Sequence, residues 1–194
     1  MKLRSAWNGW ELDTEGHILD DGAGRISATS KSMPNCRSVT LPRLTEAFAR
    51  VILPSLQHCE VIQLSEPDVA AVAVLAELPR LSGIHFKPQS GAVDPERYRQ
   101  FVAAVATLPG IRSLFLQGEA IPELSVATGL RALAVWTHAP VTDAGLSAIG
   151  SLPALQELRV LASGRQPTSC GPKVLDELSS RGVLRDVHLE GVAL

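Results

Sequence analysis

The sequence contains no apolar run long enough for a signal peptide at its start, in "MKLRSAWNGWELDTEG", and polar or charged residues interrupt every later candidate for a membrane span. Cysteine is also scarce. Cys36, Cys59 and Cys170 form neither a paired framework nor a CxxC metal motif, which fits a reducing compartment and a cytoplasmic protein. Charge of one sign is missing too: the formal net charge is -2. Without a broad basic field, nucleic acid and anionic membrane surfaces are not expected partners. Lysine occurs 4 times against 14 arginines, and alanine is abundant, a bias that points to a GC-rich bacterial coding sequence.

Catalytic and cofactor motifs are absent as well. The chain has no GxSxG nucleophile turn, no phosphate loop, no HExxH helix and no GxGxxG dinucleotide motif. "DDGAGRIS" is too short and lacks the last glycine, so it reads as a turn. Asp13, Glu15, Asp20 and Asp21 do not match a calcium loop and read as a solvated acidic turn. No cofactor and no metal are expected. His17, His58 and His138 have no recognisable partners, and His85 and His188 fall four repeats apart, so all five read as surface histidines.

What is present is a recurring order of apolar residues. "VTDAGLSAIGSLPALQELRV" (141–160) spaces Leu152, Leu155, Leu158 and Val160 at intervals that suit neither an ordinary helix nor an ordinary strand. The order returns in "MPNCRSVTL" (33–41), "LQHCEVIQL" (56–64), "LPRLSGIHF" (78–86), "LPGIRSLFL" (108–116), "ATGLRALAV" (127–135) and "RGVLRDVHL" (181–189). Measured at the penultimate apolar position, the copies are Val39, Ile62, Ile84, Leu114, Leu133, Leu158 and Val187, with steps of 23, 22, 30, 19, 25 and 29 residues. These lie in or beside the range of roughly 20–29 residues that marks stacked repeats built from a turn, a strand and a return path. Stacking turns the apolar positions inward and builds one core beside a parallel sheet.

The return paths read mostly as helices. "DPERYRQFVAAVATL" opens with Asp94 as N-cap and Pro95 at the first helical position. "LTEAFARVIL", "PDVAAVAVLAEL", "TDAGLSAIGSL" and "PKVLDELSSRG" give four more, whereas "QGEAIPELSVATG", broken by Pro122 and Gly129, predicts a turn or one 3₁₀ turn. If Val69, Val72 and Ala76 face the core, Val74 lies outside and offers packing surface to another protomer.

In this LxxLxxLxL order the chain resembles the leucine-rich repeat superfamily, and "VTDAGLSAIGSLPALQELRV" is similar to its ribonuclease-inhibitor-like or cysteine-containing repeats. The resemblance covers about residues 33–191. It implies an α/β solenoid of about seven parallel strands with mostly helical crossovers. Residues 1–32 fall outside the pattern and read as an N-terminal capping segment, a small hairpin around Trp10–Leu12 and Ile18–Leu19; residues 33–194 form the solenoid, and the two make one domain. The chain ends at "LEGVAL" just after the seventh strand, an end expected to be bare, cut short from a longer chain, or covered by another molecule, including a second copy.

Strand alternation then selects a surface. Inward Leu114 and Leu116 force Phe115 to the opposite face, and the same parity places Thr40, Gln63, His85, Ala134, Arg159 and His188 there. The next row is Pro42, Ser65, Lys87, Gln117, Trp136, Leu161 and Glu190. Phe115, Trp136 and Leu161 make an apolar centre flanked by Gln117, His85, Lys87 and Arg159, a pattern of aromatic anchors with polar surroundings that suits a protein partner. The expected function is a non-enzymatic binding module or adaptor. A structural assembly module using the carboxyl end is the alternative, followed by an enzyme with a loop site in "SGRQPTSCGPK" around Arg165, Ser169, Cys170 and Lys173. Cys36 and Cys59 share one inward repeat position and read as core.

Overall fold

Val39, Ile62, Ile84, Leu114, Leu133, Leu158 and Val187 stand side by side on neighbouring strands of a seven-stranded sheet in the computed structural model. The structure describes residues 2–6, 9–13, 18–20, 37–88, 94–118, 124–163, 168–169, 171–180 and 183–193. The chain begins with β1 (Lys2–Ala6), β2 (Gly9–Asp13) and β3 (Ile18–Asp20), which form an antiparallel sheet in that order. The expected hairpin is therefore a three-stranded meander, and β2 approaches the first strand of the large sheet.

That sheet is built from β4 (Ser38–Leu44), β5 (Val61–Pro67), β6 (Gly83–Phe86), β7 (Ser113–Gly118), β8 (Ala132–Thr137), β9 (Glu157–Ala162) and β11 (Asp186–Glu190). Every neighbouring pair is parallel, and spatial order follows chain order. Parallel neighbours demand a crossover each time. Five crossovers carry a helix: α1 (Glu46–Ile52), α2 (Val69–Val74), α3 (Pro95–Ala106), α4 (Asp143–Gly150) and α5 (Pro172–Ser180). Between β7 and β8 the described residues 124–131 form turns only. Beside them lies a cleft of about 240 Å³ lined by Val105, Leu108, Ile111, Val126 and Leu130. The short strands β10 (Thr168–Ser169) and β12 (Val192–Ala193) pair in parallel with each other.

Helix starts are set by side-chain caps. Thr45 Oγ1 accepts from Phe48 N at 3.2 Å, Asp94 Oδ1 from Arg97 N at 2.8 Å, and Thr142 Oγ1 from Gly145 N at 3.2 Å. Each satisfies an otherwise orphaned amide and contributes about 1 kcal/mol. Strand alternation sets the core. In β7 and β8 buried residues alternate strictly with partly buried ones. The inward side chains meet a helical layer containing Phe48, Val72, Phe101, Val105, Leu146, Ile149 and Leu178. Phe86 and Phe101 join the two layers with ring centroids 4.8 Å apart.

Two expectations need correction. Val74 is buried and Ala76 is exposed, the reverse of the expected rotation of α2. The helix lies between α1 and α3 and tightens into a 3₁₀ turn at Leu75–Glu77, so both flanks are covered and the period changes. Ser65, expected on the open face, is also buried. It follows Leu64, the last β5 residue in register with β6, and there the alternation shifts phase: Leu64 and Ser65 are both buried and Glu66 is exposed.

Candidate binding face

The rows predicted on the open face are in register. Gln63, His85, Phe115, Ala134, Arg159 and His188 follow one another across neighbouring strands. Gln117, Trp136, Leu161 and Glu190 do the same one row later. Strands about 4.8 Å apart bring all seven candidate residues onto four adjacent strands, a span of roughly 14 Å. Lys87 and Arg159 are exposed, while His85, Phe115, Gln117, Trp136 and Leu161 are partly buried against one another and the sheet.

Each has an identifiable environment. The His85 and Phe115 rings are 5.8 Å apart and tilted by 58°. Burial lowers the His85 pKa from its ordinary 6.5, so the imidazole is neutral at pH 7. A neutral ring costs little against an apolar neighbour. Lys87 continues the ladder just past β6, its amide donating to the Leu64 carbonyl at 2.8 Å. Arg159 approaches Asp186 at 3.8 Å, and both side chains are more than half exposed, so the pair holds the guanidinium only loosely.

Gln117 Oε1 is buried and accepts no hydrogen bond among the described residues. An unmet acceptor of this kind costs about 1–3 kcal/mol. Beside it, the Trp136 indole Nε1 donates to Ser163 Oγ at 2.8 Å, and Ser163 Oγ is 2.9 Å from His138 Nδ1.

Sequence reasoning missed His138 and Ser163. Both follow the same parity as Trp136 and Leu161, two residues farther on, and the Ser163 amide extends the ladder to the Thr137 carbonyl at 2.9 Å. Carrying the alternation past the apolar pattern would have placed them. His138 thus has a partner that its sequence neighbours do not disclose.

The remaining candidates separate. Cys59 is fully buried, its thiol 3.2 Å from the Val61 carbonyl. Cys36 and Cys170, and with Cys170 and Arg165 the centre of the expected loop site, lie outside the described residues. Among the described residues no three His, Cys, Asp or Glu side chains gather where they could hold a metal ion. No helix of those residues is long and apolar enough to cross a membrane. Comparison with protein-family models, with curated proteins and with solved structures finds no match to the chain.

Proposed function

We propose that the chain is a leucine-rich-repeat solenoid acting as a non-enzymatic protein-binding module in the cytoplasm. Its partner would seat on the outer face of β6 to β9, with Phe115, Trp136 and Leu161 as the apolar anchor and His85, Lys87, Gln117 and Arg159 as the polar surroundings. The observation that carries this reading is the alignment of Gln117, Trp136 and Leu161 in one row beside Phe115, with the indole held by Ser163. Parallel strands braced by helices present such side chains at fixed spacing, so little conformational freedom is lost on binding.

Affinity capture from native lysate, comparing wild type with Phe115→Ala/Trp136→Ala, tests the proposal. Both proteins are first shown to unfold at matching denaturant concentrations. A protein captured by the wild type and lost with the double variant supports the face. Equal capture by both rejects it.

A further inference from the structure

The inward row of the large sheet is not equally covered along its length. Val39, Ile62, Ile84, Leu114, Leu133 and Leu158 are 0–3% exposed, whereas Val187, the seventh member, is 39% exposed. Val183, leading into the same strand, is 45% exposed. The cause is topological: β11 ends the sheet, and among the described residues no strand pairs with its outer edge. At Gly191, where φ is +72°, the chain turns away, the glycine packing against the Ala162 carbonyl as β12 goes on to join β10. That φ suits glycine and takes the following residues off the edge. The open backbone of β11 therefore coincides with uncovered core side chains.

We infer that a second copy of this chain pairs with β11, edge to edge and antiparallel about a two-fold axis centred on Val187. An axis perpendicular to the sheet sets residues of the same face opposite one another, so it must pass through a residue. Other residue-centred registers compete, and centring on Asp186 sets that carboxylate opposite itself. Centring on His188 places Asp186 opposite Glu190 twice, a like-charge juxtaposition. Centring on Leu189 pairs only residues 188–190, because Gly191 leaves the sheet.

Centring on Val187 sets Asp186 opposite His188 of the second copy twice on the outer face and buries the two Val187 side chains against each other on the inner face. It also extends pairing over residues 184–190. Within one copy, Arg159 already stands 3.8 Å from Asp186 and His188 Nε2 3.7 Å from Glu190, so the two copies would set carboxylates beside nitrogen-bearing side chains along one row. Head-to-tail stacking onto the opposite edge is less suited, because β2 approaches β4 there. The two-fold arrangement closes on itself and joins the outer faces of both copies into one surface.

The inference stands apart from the proposed binding face, since its readout is mass and not capture. Sedimentation equilibrium of the wild-type chain is expected to show a species of twice the 20.7 kDa chain mass. His188→Glu, at an exposed position, sets Glu opposite Asp186 twice and should weaken association about tenfold. Asp186→Lys/His188→Glu sets Lys opposite Glu twice and should restore the dimer. Circular dichroism checks that both variants are folded. A wild type that is monomeric at every concentration, a dimer indifferent to His188→Glu, or a double variant that stays dissociated each overturns the inference.

Discussion

Trp136 and Ser163 are joined across the carboxyl ends of two neighbouring strands, the indole N–H donating to the hydroxyl oxygen at 2.8 Å. That oxygen is also 2.9 Å from His138 Nδ1. With its lone pair engaged by the indole, the hydroxyl can give its own proton to the imidazole, so the three groups form a short relay. A large aromatic ring on an otherwise open sheet is thereby held at its polar end.

Ser163→Ala removes that hold. The loss of one partly exposed hydrogen bond costs about 0.5–1.5 kcal/mol. The ring gains freedom, and on the proposed binding face partner capture through Trp136 should weaken by about 2- to 10-fold. In a chain whose Trp7 and Trp10 are replaced by Phe, the emission of Trp136 reports the change directly. An unaltered spectrum would show that Ser163 does not position the ring.

Leu158 and Arg159 are adjacent in sequence and opposite in environment, one fully buried and the other exposed. Leu158→Ala should destabilise the fold by about 2–5 kcal/mol, because it opens a cavity between sheet and helices. Arg159→Ala should change stability by about 0.5 kcal/mol or less, its ion pair being solvated. Urea unfolding of the two variants measures both. Similar losses would contradict the assigned alternation.

His85 links stability to pH. Its folded pKa lies below the ordinary 6.5, so the unfolded chain takes up a proton that the folded chain refuses. Its influence is absent above that value; as pH falls from there through the folded pKa, stability is lost. His85→Gln should therefore lose less stability than wild type between about pH 7 and pH 5, where an unfolded histidine titrates. Urea midpoints at the two pH values give the comparison, and equal losses would count against a buried neutral imidazole.

Gly118 closes β7 against the Tyr98 ring, where an added methyl would stand 2.7 Å from Cζ. Tyr98 is itself buried, and loss of solvent pushes its phenol well above the ordinary 10. Gly118→Ala should cost about 1–3 kcal/mol through overpacking. An unchanged thermal midpoint would mean that the ring shifts without loss.

The parts of the fold that were legible are those governed by a short period. Inward positions from Val39 to Val187 follow one apolar order, and a strand has only two faces, so predicting the inward row also predicts Phe115 and Arg159 on the other. Asp94 and Pro95 carry their helix-start chemistry locally, with the same effect. Val74 was misplaced because a helix flanked by two others has no free side, and flanking is not written into a single segment. Ser65 was misplaced because burial along β5 shifts phase after Leu64, so the outward parity fails from that point.

The sequence by itself determined the alternation of strands with return paths, the spacing of the inward row and, Ser65 aside, the parity that sends its neighbours outward, because each depends on periodicity and local caps. Only the tertiary structure decided that Ser163 meets Trp136 and His138, that Gln117 keeps an unmet oxygen, and that Val187 alone in its row stands uncovered. Those relationships join residues 25 or more positions apart, or depend on which strand ends the sheet. The physical reason is that hydrogen-bond satisfaction and burial are properties of neighbours, and neighbours across a parallel sheet are chosen by the whole crossover between them.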